Sequence, residues 1–160
     1  KKFNNAMREA RDFYELAGNG LAEKLGCVLF QLPPNLTYSD SNLDNILSTL
    51  DGAFTNVIEF RHASWWDEQV YKKLKENKVT FCSISYPSLP DDVIRSIPVM
   101  YYRFHGVPQL YVSPYSTRKM KQVAGEIQML RGVSDVYVYF NNDVHVEAIR
   151  NAREMASIIA

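Results

Sequence analysis

Residues 27–34 read CVLFQLPP. The run from Cys27 to Leu32 is continuous, apolar and rich in strand formers, the pattern of a strand covered on both faces. Pro33 and Pro34 cannot donate to a ladder and end it. The same short signal returns four times: Asn56–Phe60 (NVIEF), Val79–Ile84 (VTFCSI), Val99–Phe104 (VMYYRF) and Val136–Phe140 (VYVYF).

Helical periodicity lies between these runs. From Phe3 to Leu25 the residues Phe3, Met7, Phe13, Leu16, Leu21 and Leu25 recur at roughly helical spacing, with Ala17-Gly18-Asn19-Gly20 placed to loosen or break the helix. Ser39–Leu50 carries a cap in Asp40 or Ser41 and an inward stripe of Leu43, Ile46, Leu47 and Leu50. Asp67–Asn77 turns Val70, Tyr71 and Leu74 inward, and Ser116–Leu130 does so with Met120, Val123, Ile127 and Leu130. Val144–Ala160 closes the chain as a helix.

Short buried strands alternating with amphipathic helices predict an α/β fold with parallel pairing. The products of that pattern are a doubly wound sheet or a (β/α) barrel. No strand is followed by a glycine-rich phosphate loop, which argues against a dinucleotide fold. Five strands are too few to close an eight-stranded barrel, so either the sheet is open or three units are missing upstream, and the chain reads as a single domain over residues 1–160.

Composition narrows the function classes. Apolar residues make up 46% of the 160 positions, enough for a core and against disorder. The 18 basic and 18 acidic residues cancel, so no global field draws the chain to nucleic acid or anionic lipid. No apolar stretch is long enough for a membrane span. Cys27 and Cys82 fall in apolar runs, read as inert buried thiols of a reducing, cytoplasmic compartment. The chain starts KKFNNAMREA without an initiator Met, as expected of a processed or truncated piece.

Polar residues gather where the strands end: Gln31, then Glu59, Arg61 and His62, then Ser83 and Ser85, then Arg103, His105 and Gly106, then Asn141, Asn142 and Asp143. Parallel folds bind ligands at strand C-termini. Alternation puts Glu59 with Arg61, Arg103 with His105, and Asn141 with Asp143. Five charges on buried faces must be paired or used, which predicts a compensated ring of Glu59, Arg61, Arg103, His105 and Asp143. Its structural reading is buried ion pairs, Glu59–Arg61 or Asp143–Arg103.

The functional reading makes Glu59, His105 and Asp143 the catalytic candidates. The ligand-binding candidates are Gln31, Arg61, His62, Trp65, Arg103, Asn141 and Asn142. His105 precedes Gly106, which allows a sharp turn and close approach, and imidazole titrates near neutrality. The two arginines offer planar forks for phosphate or carboxylate. Trp65 and Trp66 suit stacking on a sugar or base, or a packing lid. Tyr101, Tyr102, Tyr137 and Tyr139 read as strand packing, and His145 as a surface residue of the last helix. Glu59, His105 and Asp143 are also the residues from which a metal site could be built, but without the tight ligand spacing of HxH or HExxH, and the sequence leaves the cofactor open.

The segments LGCVLFQLPPNL, IEFRHASWW, YYRFHG and YFNNDVHVEAIRNA, in that order, resemble the YecE-like family, domain of unknown function 72. The resemblance runs from about Leu21 to Met155. It implies a TIM-barrel-like fold whose usual opening segments, resembling IGTSGW, VEINSTFY and FxFxVKA, are absent here, so the chain corresponds to the last five βα units. The family's signature polar positions fall on Gln31, Glu59, Arg61, His62, Trp65, Arg103, His105, Gly106, Asn141, Asn142 and Asp143. The resemblance implies a pocket and no particular reaction.

Two function classes follow. One is a hydrolase acting on a small anionic or polyhydroxylated, phosphorylated or sugar-like, substrate. The other is a non-catalytic module binding an anionic ligand or nucleic acid, with Trp65 and Tyr115 as stacking surfaces. Open parallel edges predict self-association of the chain.

Overall fold

In the computed structural model, which describes residues 6–159, each apolar run of the sequence forms a strand. The strands are β1 (Val28–Gln31), β2 (Asn56–Glu59), β3 (Thr80–Ser85), β4 (Val99–Phe104) and β5 (Asp135–Phe140). The helices are α1 (Met7–Leu21), α2 (Asp40–Thr49), α3 (Glu68–Glu76), α4 (Thr117–Met129) and α5 (Glu147–Ile159). All pairings are parallel, in the order β1-β2-β3-β4-β5. This is the α/β pattern of part of a TIM-like barrel. The chain divides into two compact units between Phe81 and Cys82.

In the first unit, residues 1–81, the register sets Gln31 beside Glu59 and Phe30 beside Ile58. One face therefore carries Gln31 and Glu59, and the other carries Phe30 and Ile58. The helices cover the apolar face: Phe60 stacks on Trp65 at 4.3 Å, and Tyr71 and Trp66 meet Phe81 edge-on. Ser39, not Asp40 or Ser41, caps α2, because its hydroxyl accepts from the Asn42 N–H. Asp67 caps α3 through the Gln69 N–H.

Helix α1 departs from its expected stripe. It buries Ala10 and Tyr14, one turn apart, against Phe54, while Leu16 is 74% exposed and Met7 and Phe13 also face outward. Phe3 lies outside the described residues. Nor does Gly18 break the helix, which runs on to Leu21. A Cβ at Gly18 would sit 3.3 Å from the Phe54 ring, so the glycine lets helix and ring approach closely.

In the second unit, residues 82–160, Met100, Tyr102 and Phe104 of β4 alternate onto the face that packs against Met120, Val123 and Ile127 of α4 and Met155 of α5. Strand β5 is less covered than the sequence predicts, with Val136 and Tyr139 exposed, since in this sheet it pairs on one side only, with β4. The β3–β4 connection is irregular and tied down. The Ile94 N–H donates to the Ser83 hydroxyl at 2.9 Å, and the Tyr102 hydroxyl donates to Asp91, which also pairs with Lys119. Helix α5 starts at Glu147 rather than Val144, because Val146 holds a left-handed φ of 64° and its N–H closes a turn onto the Asp143 carbonyl. Among the described residues no helix is long and apolar enough to cross a membrane.

Burial raises several phenols. Tyr14 is pushed up to about 12, and Tyr101, Tyr102 and Tyr115 are raised for the same leading reason. An unfolded tyrosine ionises near 10. Below that pH both states are neutral and the contribution is complete; as pH climbs through the folded value it is lost. Urea unfolding between about pH 8 and about pH 12 should therefore show stability falling above about pH 10, with a shallower fall in Tyr14→Phe.

Candidate functional site

Three predicted residues converge in the first unit. Glu59 ends β2 fully buried, and Arg61 follows two positions later on the same face. The Arg61 Nε–H is ion-paired to Glu59 Oε1, and Arg61 Nη2 donates to Gln31 Oε1 at 3.1 Å. Gln31, exposed at the end of β1, ties the guanidinium to the next strand. The ion-pair alternative in the sequence is thus realised for Glu59 and Arg61. Pairing is what makes burial of these two charges tolerable.

His62, half-buried, points elsewhere. Its Nδ1 accepts the Ser64 N–H at 3.2 Å and lies 2.9 Å from the Ser64 hydroxyl, whose oxygen accepts the Tyr38 N–H at 2.8 Å. This imidazole and hydroxyl hold the turn between β2 and α3. Trp65 has no free face: it is 0% exposed, stacked on Phe60, met edge-on by Tyr38, and donates from Nε1 to the Leu36 carbonyl at 2.8 Å. Of the two readings, stacking platform or packing lid, its position is the lid.

The second unit holds Arg103, His105, Asn141, Asn142 and Asp143. His105 is 1% exposed and directly follows β4. Its N–H donates to the Ser85 carbonyl at 3.0 Å, and its carbonyl accepts the Tyr111 N–H at 2.6 Å. Its ring lies edge-on to Tyr86 and Tyr111, at 5.6 and 6.2 Å. Gly106 turns with φ of 91°, and its N–H donates to the Tyr115 hydroxyl at 2.8 Å. That hydroxyl donates in turn to the Ser85 carbonyl at 3.3 Å. Tyr115 therefore latches the ends of β3 and β4, and is buried rather than the stacking surface expected of it.

Arg103 is half-buried on the face shared with His105, in register with Tyr139. Asn141 continues the ladder, its N–H donating to the Phe104 carbonyl at 2.7 Å, which puts it beside His105 on that face. Asn142 alternates to the other side and is fully buried. Its amide donates to the Ser113 carbonyl and to Asn151 Oδ1, while Asn151 grips both backbone groups of Tyr115. Asp143 is exposed, contrary to its expected place in a buried ring, because the last backbone bond to β4 is made by Asn141 and the chain turns from Val144. His145 is exposed as expected but lies in that turn, ahead of α5. Among the described residues no three His, Cys, Asp or Glu side chains stand close enough to hold a metal ion.

Sequence reading missed Tyr86, Tyr111 and Asn151, and gave Tyr115 a different place. The signal was thin: a left-handed glycine beside a histidine asks for neighbours that fill the turn, but does not say which.

Comparison with known proteins now adds a family. The profile described as "Protein of unknown function DUF72" matches residues 1–160. A DUF72 family protein from Thermotoga maritima is similar in structure, with a TM-score of 0.87 and 23% identity over 96% of this chain and 65% of that one. A DUF72 family protein from Enterococcus faecalis gives a TM-score of 0.84 at 20% identity, over 98% of this chain and 66% of its own. The chain thus spans just under two thirds of these solved chains. At such identities the likeness is one of fold. No curated protein matches.

Three variants test the local geometry. Glu59→Ala should cost about 3–5 kcal/mol in urea unfolding by leaving a buried guanidinium uncompensated, and Glu59→Leu with Arg61→Met should recover most of it. Gly106→Ala should cost at least about 1–3 kcal/mol, since its Cβ would meet the Gln109 carbonyl oxygen at 2.8 Å in a left-handed turn.

Proposed function

The chain belongs to the DUF72 family, proteins of unknown function, and from that premise we propose that it hydrolyses a small phosphorylated or sugar-like substrate at the C-terminal ends of its strands. The observation that carries this reading is the way His105 is held. Its two backbone groups and the next N–H are each hydrogen-bonded, and two tyrosine rings flank its imidazole. Over-determined placement of one titratable side chain at a strand terminus is what acid–base chemistry requires.

His105 takes a proton from the attacking water and returns it to the departing oxygen. Arg103, one row down the same face, supplies a cationic fork for charge on the substrate. Of the candidate carboxylates, Asp143 stands on the loop after β5, exposed and able to reach a bound ligand. Glu59 serves by holding Arg61 as a fixed cation in the first unit. The binding-module reading shares these arginines and lacks the proton transfer. Its stacking surfaces, Trp65 and Tyr115, are both buried, which favours a small ligand over nucleic acid. Cys27 and Cys82, read as thiols, fit a cytoplasmic setting.

Aryl phosphates and aryl glycosides offered to the 160-residue chain should include a substrate, and His105→Gln should lose about 10²- to 10⁴-fold in kcat with the unfolding midpoint little changed. Ligand binding without turnover across both classes would leave the binding module standing instead.

A further inference from the structure

Alternation on β4 and β5 sorts their side chains onto two faces, and the face turned away from α4 and α5 is unusual in what it carries. Tyr101 lies in register with Tyr137, and Arg103 with Tyr139. The three phenol rings form one stack, Tyr101 lying 6.0 Å from Tyr137 and 5.0 Å from Tyr139 with interplanar angles of 25° and 22°. Tyr139 ends the stack with 46% of its surface exposed, so ring area remains open. Beyond it, at the strand ends, come Asn141 and His105. The Asn141 carboxamide oxygen is buried and accepts no hydrogen bond among the described residues.

A buried carbonyl oxygen without a donor is destabilising, so this one is matched to a ligand that donates. A phosphate at neutral pH is chiefly an acceptor and would set oxygen against oxygen there. A polyol hydroxyl donates. The apolar faces of a sugar ring lie well on aromatic π-surfaces, and planar amide and guanidinium groups bond neighbouring hydroxyls in pairs. Burial holds the Tyr101 phenol neutral far above physiological pH, so the stack brings no negative charge. Among the described residues Arg103 is the one permanent cation on this face, too few for a ligand selected by charge.

We infer that this β4–β5 face binds a neutral sugar ring, stacked on Tyr139 and donating a hydroxyl to the Asn141 carboxamide oxygen, beside His105. The inference rests on the reading that ligands bind at the strand C-termini, and narrows its ligand to the sugar-like class.

The test is calorimetric titration of the 160-residue chain with glucose, galactose, mannose, xylose and their methyl glycosides, and separately with inorganic phosphate. At least one sugar should bind below about 10 mM. Tyr139→Ala and Asn141→Leu should each weaken that sugar at least about tenfold, while Tyr139→Phe, which keeps the ring, should stay within about twofold. Both variants sit at exposed or half-buried positions, and circular dichroism checks their fold. Phosphate binding with no sugar binding overturns this inference and leaves the hydrolase reading in place. Sugar binding unchanged in both variants overturns the assignment to this face. Binding of neither class overturns both.

Discussion

Every strand pair is parallel, and a parallel ladder cannot be closed by a tight turn. The chain must cross back before each new strand, and in three of the four connections, those before β2, β3 and β5, a helix does so. That fixes which side of each strand is covered by helix, and so which alternating residues become core. Met100, Tyr102 and Phe104 go under α4 and α5; Tyr101 and Arg103, their direct neighbours in sequence, do not. The same constraint puts the polar residues that follow β1 and β2 at neighbouring strand ends, which is why Gln31, Glu59 and Arg61 meet.

The two units handle their polar ends differently. In the first, charge is neutralised by charge: Arg61 is gripped by a buried carboxylate and steadied by an exposed amide. Such a guanidinium is held in one orientation, because its partners lie on two strands. In the second, the backbone is fixed and the side chains are spared. Tyr115 bonds the Ser85 carbonyl and the Gly106 N–H, and Asn151 and Asn142 fix Tyr115 in turn. A latch made of uncharged groups fixes the backbone on either side of His105, whose imidazole lies between Tyr86 and Tyr111. The first arrangement stabilises a charge; the second positions a titratable group.

Individual residues show why some readings held and others failed. Glu59 with Arg61 was legible because a strand has a period of two and a buried charge needs a partner nearby. The stripe of α1 was misread because Phe13, Leu16 and Met7 are the more apolar residues, yet Tyr14 and Gly18 are the ones whose shapes fit Phe54. Asp143 was placed by extending the alternation of β5 three residues past its last ladder pair, where period two no longer applies. Trp65 carried two readings, and only the position of Phe60 and the Leu36 carbonyl chose between them.

From sequence alone came the number of strands, their parallel sense, the helices between them and the positions at which polar side chains cluster. These depend on local periodicity and on the cost of burying charge, both visible in a linear string. The tertiary structure decided what each polar side chain touches: Tyr115 on Ser85 and Gly106, Asn151 on Tyr115, Gln31 on Arg61. Apart from the one between Tyr115 and Gly106, those contacts join residues 30 to 36 positions apart. Their geometry is set by how loops fold over strand ends, for which a linear sequence holds no periodic signal.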